Sequence, residues 1–264
     1  MAEQRYVEHA RAGAVDTVTI RRLEVHNAFN EHVIAQLAEA FAAISASADT
    51  RVVVLRGEGR SFSAGADLDW MRRAANFTDA ENRRDADALA SMLCAVAECP
   101  CPVVARVQGN AMGGGAGLAA AADIAIAGES ARFAFSEVRL GLVPATIARH
   151  VVRKVGAGRA LPLFLTGERI DAARALAIGL VHRIAPDDQL DAAVAETVDA
   201  LLAGSPAAQR RVKELVRRVA PDDAAIDDFA AGMISSIRGT DEGREGVAAF
   251  LEKRQPGWTP RADV

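Results

Sequence analysis

The chain has 264 residues, of which 50% are hydrophobic and 25% are charged, and its formal net charge is −4. This balance is typical of a globular domain with a sizeable core, and the absence of excess positive charge argues against a dedicated nucleic-acid or anionic-membrane binder. The three cysteines, at 94, 99 and 101, lack the paired spacing of a zinc site, so no metal is expected.

The N-terminus shows no basic segment followed by an apolar run, and no apolar stretch reaches the length of a membrane span. These two features predict a cytoplasmic protein that does not act in or on a membrane.

The first half of the chain predicts strands and helices in alternation. Residues 14–21 alternate partly between apolar and polar side chains, as a half-buried strand does, and Asn30 can cap a helix over 31–45. The β-branched run 52–55 predicts a strand covered on both faces. There follow a loop at 57–67, a helical pattern to about residue 98, a strand at 103–107, a glycine-rich loop at 109–117, and a strand at 124–127. The alternation predicts an α/β fold.

Strand patterns stop at about residue 186. Four later segments show helical patterns, several with an Asp or Ser positioned as a cap: 187–203, 205–219, 223–237 and 241–254. We therefore predict a core domain over residues 1–186 and a helical C-terminal region over residues 187–264.

The first loop that could bind a ligand or take part in catalysis directly follows the strand at 52–55. Its small residues Ala64, Gly65 and Ala66 let a ligand approach the backbone, and Asp67 can cap the next helix. N–H groups at this helix start, including that of Ala66, are then available to an oxyanion. A simple strand-to-helix turn explains the same residues equally well.

The second loop, 109–117, follows the strand at 103–107 and contains three consecutive glycines, Gly113 to Gly115. It too exposes backbone donors at a helix start. A dinucleotide fingerprint is disfavoured because the glycines do not follow the strand directly and the next helix is too short for a crossover. A P-loop is excluded because no Gly-Lys-Ser/Thr triplet follows, and the frame of a nucleophile elbow is broken at 61–65.

Glu137 lies among apolar neighbours, between Phe135 and Val138. If its side chain is buried, the neutral acid is favoured and its pKa rises toward the range of a general acid or base. A solvated side chain or a capping-box partner is the alternative interpretation. Pro144 then fits the first turn of a helix running to about residue 154.

Taken together, three segments resemble the enoyl-CoA hydratase/isomerase (crotonase) superfamily: 62–67, 112–115 with Asp123 and Ile124 behind it, and 136–144. The similarity extends from the loop at 26–30 to residues 250–254. The resemblance implies a crotonase-like spiral of ββα units and a helical C-terminal trimerisation region, assembled as a homotrimer or a dimer of trimers. It implies an acyl-CoA thioester ligand and no separate cofactor, because coenzyme A is part of the substrate.

The resemblance also implies the roles of individual residues. The N–H groups of Ala66 and Gly114 would form an oxyanion hole, and Glu137 would be the acid/base. Further substrate and CoA contacts are implied at His26, Ala28, Ala64, Gly65, Asp67, Leu68, Gly113, Gly117, Pro144, Phe250 and Lys253. Phe250 and Lys253 match contacts that a neighbouring subunit often donates in this superfamily.

The sequence departs from the standard hydratase at Gly117, which stands where that enzyme carries a first glutamate. A single glutamate resembles the 3,2-enoyl-CoA isomerases, in which one carboxylate moves a proton between C4 and C2. The segments 113–118, 137–148 and 242–254 instead resemble bacterial hydratases of the 3-methylglutaconyl-CoA type, which act in leucine and branched terpenoid breakdown and also lack the first glutamate.

We therefore expect an enoyl-CoA hydratase, a carbon-oxygen lyase, with a 3,2-enoyl-CoA isomerase and a non-catalytic acyl-CoA-binding protein as alternatives. Ser136, Thr146, His150 and ordered water are candidates for the second proton-handling group. For a substrate with a distal carboxylate, Arg139 or Arg149 is a candidate cation.

Overall fold

The computed structural model describes residues 4–219 and 225–257. Within these residues the chain forms nine strands: β1 (Val7–Ala12), β2 (Val15–Ile20), β3 (Val52–Gly57), β4 (Val103–Val107), β5 (Asn110–Met112), β6 (Ile124–Gly128), β7 (Arg132–Ala134), β8 (Arg169–Asp171) and β9 (Arg183–Ala185). Six strands form one sheet in the order β1-β2-β3-β4-β6-β9, and β5, β7 and β8 form a second. Only β1–β2 and β7–β8 pair antiparallel.

The helices of the described residues are α1 (Glu31–Ala46), α2 (Leu68–Ala74), α3 (Asp79–Ala97), α4 (Gly114–Ala121), α5 (Ala145–Val155), α6 (Ala157–Thr166), α7 (Ala172–Ala177), α8 (Leu190–Ala203), α9 (Pro206–Val219), α10 (Ala225–Arg238) and α11 (Asp241–Leu251). Short 3-10 turns lie at 23–25, 137–140 and 187–189. None of the described helices is long and apolar enough to cross a membrane.

Most of the longer elements follow the sequence patterns. The carboxamide of Asn30 accepts a hydrogen bond from the Val33 N–H (3.0 Å) and caps α1, as predicted. The helical pattern up to residue 98 is divided into α2 and α3, because Thr78 begins a new helix with a capping box to Glu81. Strand β1 and the three-residue strands were not predicted. The proposed helix 223–237 begins at Ala225 in the structure, and residues 223 and 224 lie outside the described part.

The main sheet is covered on both faces. On one face Val53, Leu55 and Val103 join the main hydrophobic core. On the other, Val52, Val54, Val104 and Ile126 pack against a second apolar cluster from α8: Leu190, Ala193, Val194 and Val198. The apolar run at 52–55 is therefore a doubly covered strand, as its composition predicts. Helix α8 belongs to the region after 186, so that region completes the fold of the sheet.

The remaining C-terminal helices close the other side of the molecule. Helix α10 packs on α3 and α5, and α11 packs on α2 and on the 3-10 turn at 137–140. A Cβ atom on Gly246 would lie 2.2 Å from the Leu140 carbonyl oxygen, so α11 approaches that turn as closely as a backbone allows. The turn that carries Glu137 is thereby held from the C-terminal side.

Candidate active site

The two loops singled out in the sequence run side by side. The Ser63 N–H donates to the Asn110 carbonyl (3.0 Å), and the Met112 N–H donates to the Ser63 carbonyl (3.0 Å). One step earlier, the Phe62 N–H donates to the Gln108 carbonyl (2.8 Å). These ladder-like bonds bring the ends of the two loops together.

Glycine is required where the loops meet. Gly65 and Gly113 have φ angles of +87° and +48°, which L side chains rarely adopt. A Cβ on Gly65 would lie 2.7 Å from the Met112 carbonyl oxygen, and a Cβ on Gly113 would lie 3.3 Å from Oε1 of Glu137. The loops are therefore packed backbone to backbone, and Gly113 lies against the Glu137 carboxyl.

Two backbone donors remain free at this junction. Phe29 bridges the first loop by donating to Gly65 (2.6 Å) and accepting from Asp67 (2.8 Å), and the Ala66 N–H between them has no acceptor among the described residues. Gly114 is the first residue of α4, and its N–H likewise has no acceptor in the described part of the chain. Both residues line one cavity. Unpaired N–H groups at a cavity wall suit a ligand oxygen that carries negative charge.

A buried ion pair fixes the first loop. Asp67 caps α2 by accepting from the Trp70 N–H (2.9 Å), and it pairs with the Arg22 guanidinium (3.1 Å). Arg22 also donates to the Ala28 carbonyl (2.8 Å) and lies 4.7 Å from the centre of the Tyr6 ring. Sequence reasoning missed Arg22, because nothing local shows that it meets a residue 45 positions later.

Glu137 begins the 3-10 turn that follows β7, and it also lines the cavity. Its Oε2 atom is buried and has no hydrogen-bond partner among the described residues. Burial of the carboxyl raises its pKa from 4.5 to about 7. Neither a solvated side chain nor a capping-box partner fits this arrangement. The group is poised to gain or lose a proton near neutral pH.

The cavity unites most, but not all, of the predicted site residues. Those that line it are Ala64, Gly65, Ala66, Gly113, Gly114, Glu137, Pro144 and Phe250. Its lining also includes residues that the sequence analysis did not single out as site residues: Phe29, Trp70, Met71, Leu89, Leu142, Ile147, Ile234, Arg238, Arg244 and Val247. Glu137 is the one acidic side chain of this lining within the described residues.

Five predicted contacts lie around the cavity without lining it. The His26 carbonyl accepts from the Ala64 N–H (2.9 Å), so its loop supports the site through the backbone. Ala28 and Asp67 are held by Arg22 as described. Leu68 is 46% exposed, and Lys253 follows the end of α11 with φ +56°.

Gly117 lies beneath the cavity and does not line it. It is buried in α4, and a Cβ atom there would lie 2.3 Å from Cγ2 of Ile147. Since Ile147 lines the cavity, its side chain occupies the direction in which a side chain at 117 would extend. A carboxylate at 117 has no room in this fold.

Of the candidates for the second proton-handling group and for the distal cation, some line the cavity and others do not. Ser136 and Thr146 line the cavity, whereas His150 is buried in α5 outside the lining. Arg139 donates to the Thr166 carbonyl (3.1 Å), and Arg149 lies near the sulfur of Cys94 (3.9 Å). Neither arginine lines the cavity, so the structure does not support the prediction that they bind a distal carboxylate.

The family model for enoyl-CoA hydratase/isomerase matches residues 10–261. The chain belongs to this family. Among solved structures, an enoyl-CoA hydratase from Shewanella pealeana is 39% identical, with a TM-score of 0.80 and coverage of 96% of both chains. The 2,3-dehydroadipyl-CoA hydratase of Escherichia coli is 31% identical over 96% of this chain and 98% of that protein. The trans-2-decenoyl-[acyl-carrier-protein] isomerase of Streptococcus mutans is 30% identical over 93% and 94%.

These comparisons confirm the resemblance read from the loops and the crotonase-like α/β fold with a helical C-terminal region. Membership of the enoyl-CoA hydratase/isomerase family implies an acyl-CoA thioester substrate. No group of three or more His, Cys, Asp or Glu residues in the described part of the chain could hold a metal ion.

Proposed function

We propose that the protein is an enoyl-CoA hydratase, which adds water across the 2,3 double bond of an enoyl-CoA thioester. The observation that carries the proposal is the Glu137 carboxyl: it is buried, its Oε2 atom has no hydrogen-bond partner among the described residues, and it lies against Gly113, beside two free backbone donors. Two relatives, named as an enoyl-CoA hydratase and a 2,3-dehydroadipyl-CoA hydratase, support hydratase chemistry.

The thioester oxygen would accept hydrogen bonds from the N–H groups of Ala66 and Gly114. When water attacks C3, negative charge develops on this oxygen as the enolate forms, and two fixed donors stabilise it. Ionised Glu137 takes a proton from the attacking water and returns a proton to C2. The hydroxyl is then on C3, the new hydrogen is on C2, and the carboxylate is regenerated.

The CoA moiety would extend from the cavity along the loop at 22–30. His26, Ala28 and the segment 64–67 form this border, and the Arg22–Asp67 ion pair holds them in register. Leu68, Phe250 and Lys253 are exposed close to the helices α2 and α11 that flank the cavity, and we propose that they complete the CoA contacts.

A more specific substrate stays a prediction. The segments that resemble 3-methylglutaconyl-CoA-type hydratases favour a branched enoyl-CoA with a second carboxylate, and hence a role in branched-chain amino acid degradation. The Escherichia coli relative is named for another enoyl-CoA with a second carboxylate, which gives general support to an acidic acyl chain. A cytoplasmic location remains the expectation for such an enzyme.

An isomerase is the second candidate, and a specific observation favours it. Ile147 fills the space beyond Gly117, so the described cavity lining contains a single carboxyl group. One carboxylate is sufficient to remove a proton from C4 of a 3-enoyl thioester and deliver it to C2. The Streptococcus mutans relative is named as an isomerase.

We propose that the protein works as a trimer or a dimer of trimers. Val212, Leu215 and Val216 are more than half exposed on one stripe of α9, at the i, i+3, i+4 spacing of a helix face. A contiguous exposed apolar face is typical of a contact surface between copies. Sedimentation of the wild type and of Leu215→Glu, which places a charge in the stripe, tests this proposal. Persistence of the same oligomer in the variant argues against α9 as the contact.

The function is tested by turnover of crotonyl-CoA, 3-methylglutaconyl-CoA and 3-hexenoyl-CoA, with the products identified by mass. A gain of one water that disappears in Glu137→Gln supports the hydratase. Conversion of the 3-enoyl substrate without a mass change identifies an isomerase. Tight acyl-CoA binding with no turnover of any substrate identifies the non-catalytic protein.

A further inference from the structure

A three-residue polar network lies in the wall of the cavity. The Asp85 carboxylate accepts from Nε1 of Trp70 (3.1 Å) and from Nη1 of Arg238 (2.7 Å). The Arg238 guanidinium also lies 5.4 Å from the centre of the Trp70 ring. Trp70 and Arg238 both line the cavity. Helices α2, α3 and α10 therefore meet at a charged group in a mainly apolar pocket.

Asp85 uses only part of the donor capacity of Arg238. The side chain of Arg238 is 15% exposed, and its Nε and Nη2 atoms have no acceptor among the described residues. Neither atom is fully buried, so both remain accessible to a ligand. A guanidinium has five N–H donors in a planar fork that suits a carboxylate. Asp85 thus fixes the position of the Arg238 guanidinium, while the Nε and Nη2 donors stay available to a ligand.

Arg244 brings a second guanidinium to the same cavity from the first turns of α11. It is exposed, and its side chain makes no ion pair with an acidic residue of the described chain. The described lining of the cavity therefore contains two guanidinium groups, and Asp85 pairs with that of Arg238. The only acid in the described lining is Glu137, which belongs to the reaction centre.

Resting on the proposed function, we propose that Arg238 and Arg244 bind a carboxylate at the far end of the acyl chain, so that the cavity selects dicarboxylic enoyl thioesters. A methyl-terminated chain would leave the unused donors of Arg238 beside apolar carbon, with no acceptor among the described residues besides Asp85. Such unmatched polar groups are what makes a site reject an analogue that lacks the matching group. A charge-assisted bond to a carboxylate satisfies both groups.

The test compares two six-carbon substrates, 2,3-dehydroadipyl-CoA and trans-2-hexenoyl-CoA, which differ only in a terminal carboxylate or methyl group. We expect kcat/KM to favour the dicarboxylic substrate by about 10-fold or more in the wild type. Arg244→Met, and the double variant Arg238→Met with Asp85→Asn, should each reduce this ratio toward unity. The double variant leaves no buried carboxylate unpaired. Arg183→Met, which loses a surface pair with Glu196, is the control and should keep the wild-type ratio.

Binding of the saturated thioesters adipyl-CoA and hexanoyl-CoA, measured by calorimetry, separates this proposal from the proposed reaction. If neither enoyl substrate turns over, the hydratase proposal fails while a preference for adipyl-CoA still supports the carboxylate site. Equal binding of the two saturated thioesters by the wild type overturns the site. A preference that survives unchanged in both arginine variants overturns the assignment to Arg238 and Arg244.

Discussion

The two sides of the glycine loop differ in what they present to a substrate. On one side Gly113 leaves room for the Glu137 carboxyl, which lies 3.3 Å from the position of an added Cβ. On the other side Gly117 is covered by Ile147, which leaves no room for a second acid. Glu137 and Ile147, the residues that face these two glycines, both come from the segment after β7. The same short loop thus has one reactive side and one inert side, and the chemistry must be performed with one carboxyl group.

The largest effect on activity is expected when the Glu137 carboxyl is replaced. Glu137→Gln keeps the size of the side chain and removes its ability to accept a proton, so we expect kcat to fall about 10³-fold. Steady-state turnover measures this, with acyl-CoA binding as the control for an intact cavity. Full activity in the variant would assign the proton transfer to another group, with Ser136 and Thr146 next in the lining.

The backbone donors should contribute almost as much. Replacement of Ala66 by lactic acid exchanges its N–H for an ester oxygen and leaves the methyl side chain in place. We expect a loss of about 10²-fold to 10³-fold in kcat. The same exchange at Ala75, another cavity-lining alanine and the C-cap residue of α2, controls for the chemistry of substitution. An equal loss at both positions would contradict the oxyanion-hole assignment.

The buried acid should also make the stability depend on pH. Burial holds the pKa of Glu137 at about 7 in the folded state, against 4.5 as its ordinary value. Between these values the folded chain binds more protons than the unfolded chain, so its stability falls as the pH rises through this window. The free energy of unfolding of the wild type relative to Glu137→Gln should fall by about 3 kcal/mol from pH 4 to pH 8.

Denaturant unfolding of both proteins at several pH values measures this difference. A constant difference between the two proteins would show that the carboxyl is hydrated in the folded state. Activity should change over the same range, because the proposed reaction starts from the ionised form. We expect kcat/KM to rise as the pH passes through about 7.

The inert side should show the smallest effect. Gly117→Ala places a methyl group 2.3 Å from Cγ2 of Ile147, and overpacking of this kind costs about 1 to 3 kcal/mol of stability. Ile147→Ala removes Cγ2, the nearest opposing atom, and leaves Cβ at 2.6 Å, so the double variant should recover part of the loss and be more stable than the sum of the single effects allows. Thermal or denaturant unfolding of the three variants measures the coupling, and strict additivity would contradict the contact.

The sequence predicts the reactive side better than the inert side. Glu137, Ala66 and Gly114 are predicted as site residues from the two loops and the resemblance, and all three line one cavity. Ile147 could not be found in this way, because its contact with Gly117 depends on how α5 packs on α4. Arg238 lies one residue beyond the predicted helix 223–237, and Arg244 lies in the predicted helix 241–254. Their place in the cavity depends on the packing of α10 and α11.

The same limit explains the missed parts of the fold. Long periodic helices and the doubly buried strands are predicted close to their observed bounds, since burial imposes their patterns locally. The three-residue strands β5, β7, β8 and β9 have no pattern long enough to recognise, and they form only because neighbouring segments pair with them.

The close contact between α11 and the Glu137 turn has a consequence for how the enzyme is made. Gly246 fits against the Leu140 carbonyl, yet it leaves the ribosome about a hundred residues after Glu137. Domains fold progressively as they are synthesised, from the N-terminal end onward. The six-stranded sheet has all its strands by residue 185, whereas the cavity lacks a wall until α10 and α11 arrive. A nascent chain stalled before α11 should therefore carry a formed sheet and an unfinished catalytic pocket.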